Sequence, residues 1–240
     1  MPFEPIQSPR IYQQVAARMA QMIAGGELKS GERLPNELEL ARRFAVSRGA
    51  IREAMIALET GGMIEVRHGN GAYVREDSAH GTDIDWSRGA IADPGPLEQF
   101  EMRELLEPEA AARAALRITD ERIDGLEAML GRMKARVGDT GSQRDGRTFM
   151  ERIAAASGNS ILQSMIEELW RLRDGRMWTT LRMRMLGPDQ RAAAIVHREV
   201  IIAALRSRDP AAARRATQGY LVLTKRIYFG DLAGAVDGGG

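Results

Sequence analysis

GERLPNELELARRFAVSRGAIREAMIALETGGMIEVRHGNGAYV, residues 31–74, is the stretch that decides the fold. Asn36 follows Pro35 and is a good cap for a helix beginning after it, because its side chain accepts from the unpaired N–H groups of the first turn. Glu37 and Glu39 suit the positive end of that helix. Leu40, Ala41 and Phe44 fall at helical spacing and form one apolar face. Val46 and Ser47 interrupt the pattern, and Ser47 caps a second helix that starts at Arg48. The second helix has an apolar stripe of Ile51, Ala54, Met55 and Leu58, while Arg48 and Arg52, four residues apart, stack on its other side. Gly61-Gly62 ends it. Met63–Arg67 and Ala72–Arg75 read as short strands around a turn-rich His68-Gly69-Asn70-Gly71. Helix, tight turn, helix and basic hairpin is the layout of a winged helix-turn-helix. Such a unit sets one helix in the major groove of DNA, where arginines read guanine edges and grip phosphates. Between residues 41 and 75 six arginines face three glutamates, a local balance of +3 in a chain whose net charge is only +1.

These residues carry a resemblance. The pattern LP-x-E-x-E-L-A-R-R-F-x-V-S-R-x-x-I-R-E-A-x-x-x-L-E-x-x-G followed by I-E-V-R-H-G-N-G-A-Y-V resembles the GntR family of bacterial transcription regulators. The resemblance implies double-stranded DNA as partner and places Asn36, Ser47, Arg48, Arg52, His68 and Gly69 at the family's DNA-contact positions. One position departs: Leu38 stands where the family usually has arginine, so one contact to a base or phosphate is lost.

Outside this unit the chain is helical in pattern. Residues 1–8 read as a flexible tail. A helix from about Ser8 to Ile23 precedes the helix-turn-helix, giving a DNA-binding domain over 9–76. Residues 77–96, rich in Gly, Asp, Ser and Pro, read as a linker. From 97 to 232 the expected helices are 97–116, 119–136, 144–157, 159–173, 174–186, 189–206 and 209–229. With no strand pattern in that half, it is expected to be an all-α bundle of six or seven helices, ahead of a disordered tail at 233–240. The fold class is therefore mostly α, a winged helix-turn-helix plus a helical bundle. A chain of 240 residues that is 44% apolar can fill two cores, and it contains no cysteine, so neither a disulfide nor a thiolate metal site is available. No run has signal-peptide or membrane-spanning character, which points to a cytoplasmic protein with no membrane partner. No phosphate-binding glycine loop, nucleophile elbow or paired His/carboxylate set argues for an enzyme.

The bundle carries a second resemblance. M-R-E-L-L-E-P-E-A-A-A-R-A-A from Met102, A-A-A-S-G-N-S-I-L from Ala154 and A-A-L-R-S-R-D-P-A-A-A-R-R-A from Ala203 resemble the effector domain of the FadR subfamily. E-L-W-R-L-R-D-G-R-M-W-T-T-L, around Trp170 and Trp178, and the P-L-E-x-F-E-x-R-x-L-L-E-P helix are similar to regulators of hexuronate catabolism, the UxuR/ExuR type. The resemblance implies a homodimer on a palindromic operator and a small carboxylate effector, a hexuronate or related sugar acid. Another organic acid, an amino-acid derivative, an acyl-CoA, or no effector at all are the alternatives. Repression relieved by the effector is the family's habit.

Many members of that subfamily hold a divalent metal through one Asp and three His. This chain has three histidines, His68 in the wing, His80 in the linker and His197 in the bundle, so the usual site is excluded by composition. Matched onto the family motif, the four ligand positions carry Gly146, Met150, Arg198 and Tyr220. Neither metal nor other cofactor is therefore expected. Arg198 is a candidate for pairing with the effector carboxylate, Tyr220 for a hydrogen bond and Met150 for soft packing. Arg103 and Asn159 complete the expected effector set. Trp170 and Trp178 read as bundle core or dimer packing, and His197 as a surface or core-edge residue.

Overall fold

The computed structural model describes residues 10–67, 70–76, 95–137 and 143–230. The expected tails, most of the expected linker, and His68, Gly69 and His80 lie outside the described residues. Two compact units are present, one up to Leu97 and one from Glu98 to Gly230.

In the first unit α1, Ile11–Ala24, lays Tyr12, Val15, Met19 and Ile23 against α3, Arg48–Thr60. The buried stripe of α3 is Ile51, Ala54, Met55 and Leu58, at the i, i+3, i+4, i+7 spacing of an amphipathic helix. Between them runs α2, Glu37–Phe44. Asn36 accepts from the Glu39 N–H at 2.9 Å and starts α2, and Ser47 accepts from the Ala50 N–H at 3.2 Å and starts α3. The tight turn between the two helices is made at Ala45, whose φ of 53° lies in the left-handed region. An alanine there is strained relative to glycine, and the strain is held by main-chain bonds on both sides. The hairpin is β1, Ile64–Arg67, against β2, Gly71–Val74, antiparallel with Ile64 opposite Val74 and Arg67 opposite Gly71. The pattern did not disclose a third edge. Leu34 N–H donates to Ala72 O at 2.8 Å, and Gly31 N–H to Val74 O at 2.9 Å, so residues 31–34 pair with the far side of β2.

Helices α4 (Pro96–Ala115), α5 (Asp120–Ala135), α6 (Gln143–Ala156), α7 (Ser160–Arg171), α8 (Arg176–Met185), α9 (Pro188–Arg206) and α10 (Pro210–Phe229) account for the second unit. Among the described residues that is seven, the upper of the two expected numbers. Thr119, Asn159 and Asp209 each accept main-chain N–H groups at the starts of α5, α7 and α10. Pro188 and Pro210 occupy first helical positions, where a missing N–H goes unused. α9 packs along α10 and α5, and α6 along α7. A 3₁₀ turn, Leu172–Asp174, breaks the run between α7 and α8. Phe100, Trp178, Tyr228 and Phe229 form an aromatic core, with Trp178 edge-on to Tyr228 at 5.2 Å. Burying a ring such as Phe100 stabilises the unit by about 1.5–3 kcal/mol. Among the described residues no helix is long and apolar enough to cross a membrane.

Candidate functional site

Two places concentrate cationic chemistry. The first is the helix-turn-helix. Arg48 stands in the first turn of α3, half-exposed, with its Nε buried and without a hydrogen-bond partner. Arg52 lies one turn on. Its guanidinium grips the Glu37 carboxylate of α2 through Nε at 3.0 and 3.1 Å and Nη2 at 2.6 Å. Glu37 therefore fixes the direction of Arg52, which the spacing of residues alone presents as an outward, unattached side chain. Leu38 is 46% exposed, so its position is open to solvent and makes no demand on the core. In the wing the Arg67 guanidinium lies 4.5 Å from the Tyr73 ring centroid, and Tyr73 Oη donates to Asn70 O at 3.2 Å. These two contacts brace the hairpin next to its tip.

The second is a cavity of about 970 Å³ inside the second unit. Its wall is built by α4 to α10, and six of its side chains are arginines: Arg103, Arg147, Arg173, Arg182, Arg191 and Arg198. Arg103 is fully buried on α4 and donates to Glu107, one turn below, through Nε at 2.7 Å and Nη2 at 3.2 Å. Burial opposes its charge, and the Glu107 carboxylate overrides that and holds it more firmly protonated than usual. Glu107 also accepts from Trp170 Nε1 at 2.9 Å, so one buried carboxylate positions both neighbours. Arg173, in the 3₁₀ turn, lies 4.3 Å from the ring centroids of both Trp170 and Trp178. Burial, and then the charge of Arg103, pull its pKa down to about 10. It is still a cation at neutral pH. Arg198 donates from Nη2 to Tyr220 Oη at 2.7 Å. Buried and without partners are Arg103 Nη1 and the Nε atoms of Arg173, Arg191 and Arg198. Leaving such a donor unpaired costs about 1–3 kcal/mol, and an anion that pairs with these guanidiniums offsets that cost.

Of the residues expected to hold an effector, the fold brings Arg103, Arg198 and Tyr220 to one wall. Among the described residues that wall does not include Met150 or Asn159. Met150 is 1% exposed and serves as core of α6, and the Asn159 side chain is taken up by the Leu162 N–H at 3.1 Å as a helix cap. Pattern reading missed Arg147, Arg173, Arg182 and Arg191. One readable signal was Arg191 and Arg198, seven residues and two turns apart on α9. Another was Arg173, between two tryptophans in a segment with no acidic partner at helical spacing. Trp170 and Trp178 are 5% and 1% exposed and belong to the core, though Trp170 also lines the cavity.

The residues at the subfamily's metal-ligand positions do not fit a divalent metal. Gly146 has no side chain, and a Cβ added there would stand 3.0 Å from Arg198 Nη2. A guanidinium occupies the place into which a carboxylate ligand would project. Among the described residues no group of three or more His, Cys, Asp or Glu side chains lies close enough to hold a metal ion.

Comparison with known proteins places both units. Residues 11–74 match the bacterial regulatory proteins of the gntR family, and residues 98–222 match the FCD domain. The chain is 33% identical over 218 residues to the Uxu operon regulator of Haemophilus influenzae, covering 88% of this chain and 79% of that protein. It is also 33% identical to the Uxu operon transcriptional regulator of Escherichia coli, over 90% of this chain and 86% of that one. With the Exu regulon transcriptional regulator of Escherichia coli the identity is 30%, over 92% and 86% of the two chains. Among solved structures, E. coli McbR/YncC shares the fold, with a TM-score of 0.51 and 23% identity over 92% of this chain and 97% of that one.

Proposed function

We infer the function from one premise: the chain belongs to the gntR family of bacterial regulatory proteins and carries an FCD domain behind its DNA-binding unit. It is a transcription regulator with an effector-binding domain, and not an enzyme. In our reading it is a repressor that binds a palindromic operator as a homodimer. Arg48 and Arg52 of α3 read bases, Asn36 and Ser47 meet the phosphates, and His68 and Gly69 of the wing tip lie on the minor groove. The effector is a small sugar acid of the hexuronate kind, in keeping with the Uxu and Exu regulators among the relatives. It is held without a metal by Arg198, Tyr220 and Arg103, and its binding releases the operator.

The observation that carries this reading is Arg198, 8% exposed, bonded to Tyr220 and with its Nε unpartnered, at a position where the subfamily places a metal-ligating histidine. A fixed guanidinium supplies the cation that a metal supplies elsewhere, and it pairs with a carboxylate through two parallel hydrogen bonds. The alternative of a DNA binder without an effector leaves six arginines around an interior cavity with no use. Thermal melting of the full chain tests the reading. Glucuronate or galacturonate is expected to raise Tm in EDTA as much as in zinc, and to displace a bound operator fragment. A response that needs added metal overturns the metal-free site. No response to any sugar acid overturns the effector class.

A further inference from the structure

The cavity holds more positive charge than one carboxylate neutralises. Six guanidiniums line it, and the carboxylates that pair with them are Glu107 on Arg103 and Glu151 and Asp174 on Arg147. Among the described residues Arg173, Arg182, Arg191 and Arg198 make no ion pair with a carboxylate. Three of the four unpartnered donors, all but Arg191 Nε, fall into two groups. Arg198 Nε belongs to one; Nη2 of the same guanidinium donates to Tyr220 Oη and stands 3.0 Å from a Cβ placed on Gly146. Arg173 Nε and Arg103 Nη1 belong to the other, and both of these guanidiniums lie against the Trp170 ring, at 4.3 and 4.6 Å from its centroid. Trp170 lies next to both groups. Its ring meets Arg103 and Arg173, while its Cη2 lies 4.0 Å from a Cβ placed on Gly146, which would itself stand 3.0 Å from Arg198 Nη2.

We propose that the cavity takes a polyhydroxylated dianion, a sugar acid with a second anionic group, which sets one anion on Arg198 and Tyr220 and the other on Arg173 and Arg103. This rests on the reading of the cavity as the effector site and narrows the ligand it takes. The second anion is a carboxylate or a phosphate, since either accepts from two guanidiniums. The middle of the ligand spans Trp170 and turns its hydroxyls to the remaining polar wall, and a cavity of about 970 Å³ leaves room for it.

Calorimetric titration of the full chain with four probes is the test: glucarate, 6-phosphogluconate, glucuronate and glucose. At least one of the two dianions is expected to bind tenfold or more tightly than glucuronate, with glucose not binding. Which dianion wins assigns the second group. In R173M the advantage of the dianion over glucuronate is expected to fall to less than threefold, and in R173K, which keeps the charge, to be largely retained. An unchanged melting temperature or circular dichroism spectrum certifies each variant as folded. Dianions that bind no better than glucuronate, or an advantage that survives R173M, overturn the second anion site and leave the acid site standing. If none of the three acids binds, the effector site itself is overturned.

Discussion

At the scale of single residues the decisive side chain is Arg173, which keeps its charge against its surroundings. Burial and the Arg103 cation lower its pKa to about 10, well below the ordinary arginine range. Arg182 faces it with the same sign, and Tyr220 and Tyr228 oppose the shift; burial keeps the Tyr228 phenol neutral beyond its usual range. A base whose folded pKa lies below its unfolded one destabilises the fold at every pH below the folded value. That cost is relieved as pH rises through about 10. An anion beside it supplies the missing partner. Dianion affinity is therefore expected to stay level between about pH 6 and 9 and to fall only as Arg173 gives up its proton. Lysine starts from a lower pKa than arginine, so in R173K the same burial and the same neighbour bring the fall at a lower pH than in the arginine form. Calorimetry at a series of pH values reads the difference. Gly146 makes a second prediction. A Cβ there meets the end of the Arg198 guanidinium at 3.0 Å and Trp170 Cη2 at an ordinary 4.0 Å, so a shift of the guanidinium by a few tenths of an ångström admits a substitution. In Gly146→Asp the new carboxylate pairs with Arg198, the fold keeps or gains melting temperature, and sugar-acid affinity drops by tenfold or more.

At the scale of elements the sequence was most legible where local chemistry decides. The caps Asn36, Ser47, Thr119 and Asp209 each accept a main-chain N–H at the helix starts their residue types announce. The order of helix, turn, helix and hairpin follows from apolar spacing and glycines. The third edge at 31–34 was not legible, because three or four residues show no alternation and their pairing is set by β2 rather than by themselves. Arg52 was legible as a basic residue of α3 but not as the partner of Glu37, fifteen positions away on another helix. The arginines of the cavity were hidden for a related reason. An arginine at helical spacing reads as a solvated face, and only the packing of several helices turns it inward. Leu38 is the place where departure from the family's pattern can be tested. It is 46% exposed on α2, so Leu38→Arg is expected to leave Tm unchanged. The variant should bind the operator more tightly. If the new guanidinium meets a phosphate, the slope of log affinity against log salt steepens by about one. Fluorescence anisotropy at a series of salt concentrations measures both.

At the scale of the whole molecule the formal net charge of +1 conceals two basic regions. One lies on the helix-turn-helix and one inside the bundle, and acidic residues elsewhere balance them. Overall charge thus says nothing about DNA or about an acid ligand, whereas the placement of charge within each unit speaks for both. If the two units form one regulator, the acid and the operator are linked whatever physical route joins their sites. Linkage requires that the factor by which saturating acid weakens operator binding equal the factor by which saturating operator weakens acid binding. For couplings of about 1–3 kcal/mol that factor is roughly 5 to 150. Measuring the operator affinity with and without acid, and the acid affinity with and without operator DNA, closes the cycle. Equal factors above five are expected for the full chain. Arg198→Met is expected to keep the operator affinity of the acid-free protein while its response to acid disappears, because Arg198 lies in the bundle and not in the DNA-reading unit. An Arg198→Met chain that still releases DNA on addition of acid would place the responding site somewhere other than this cavity.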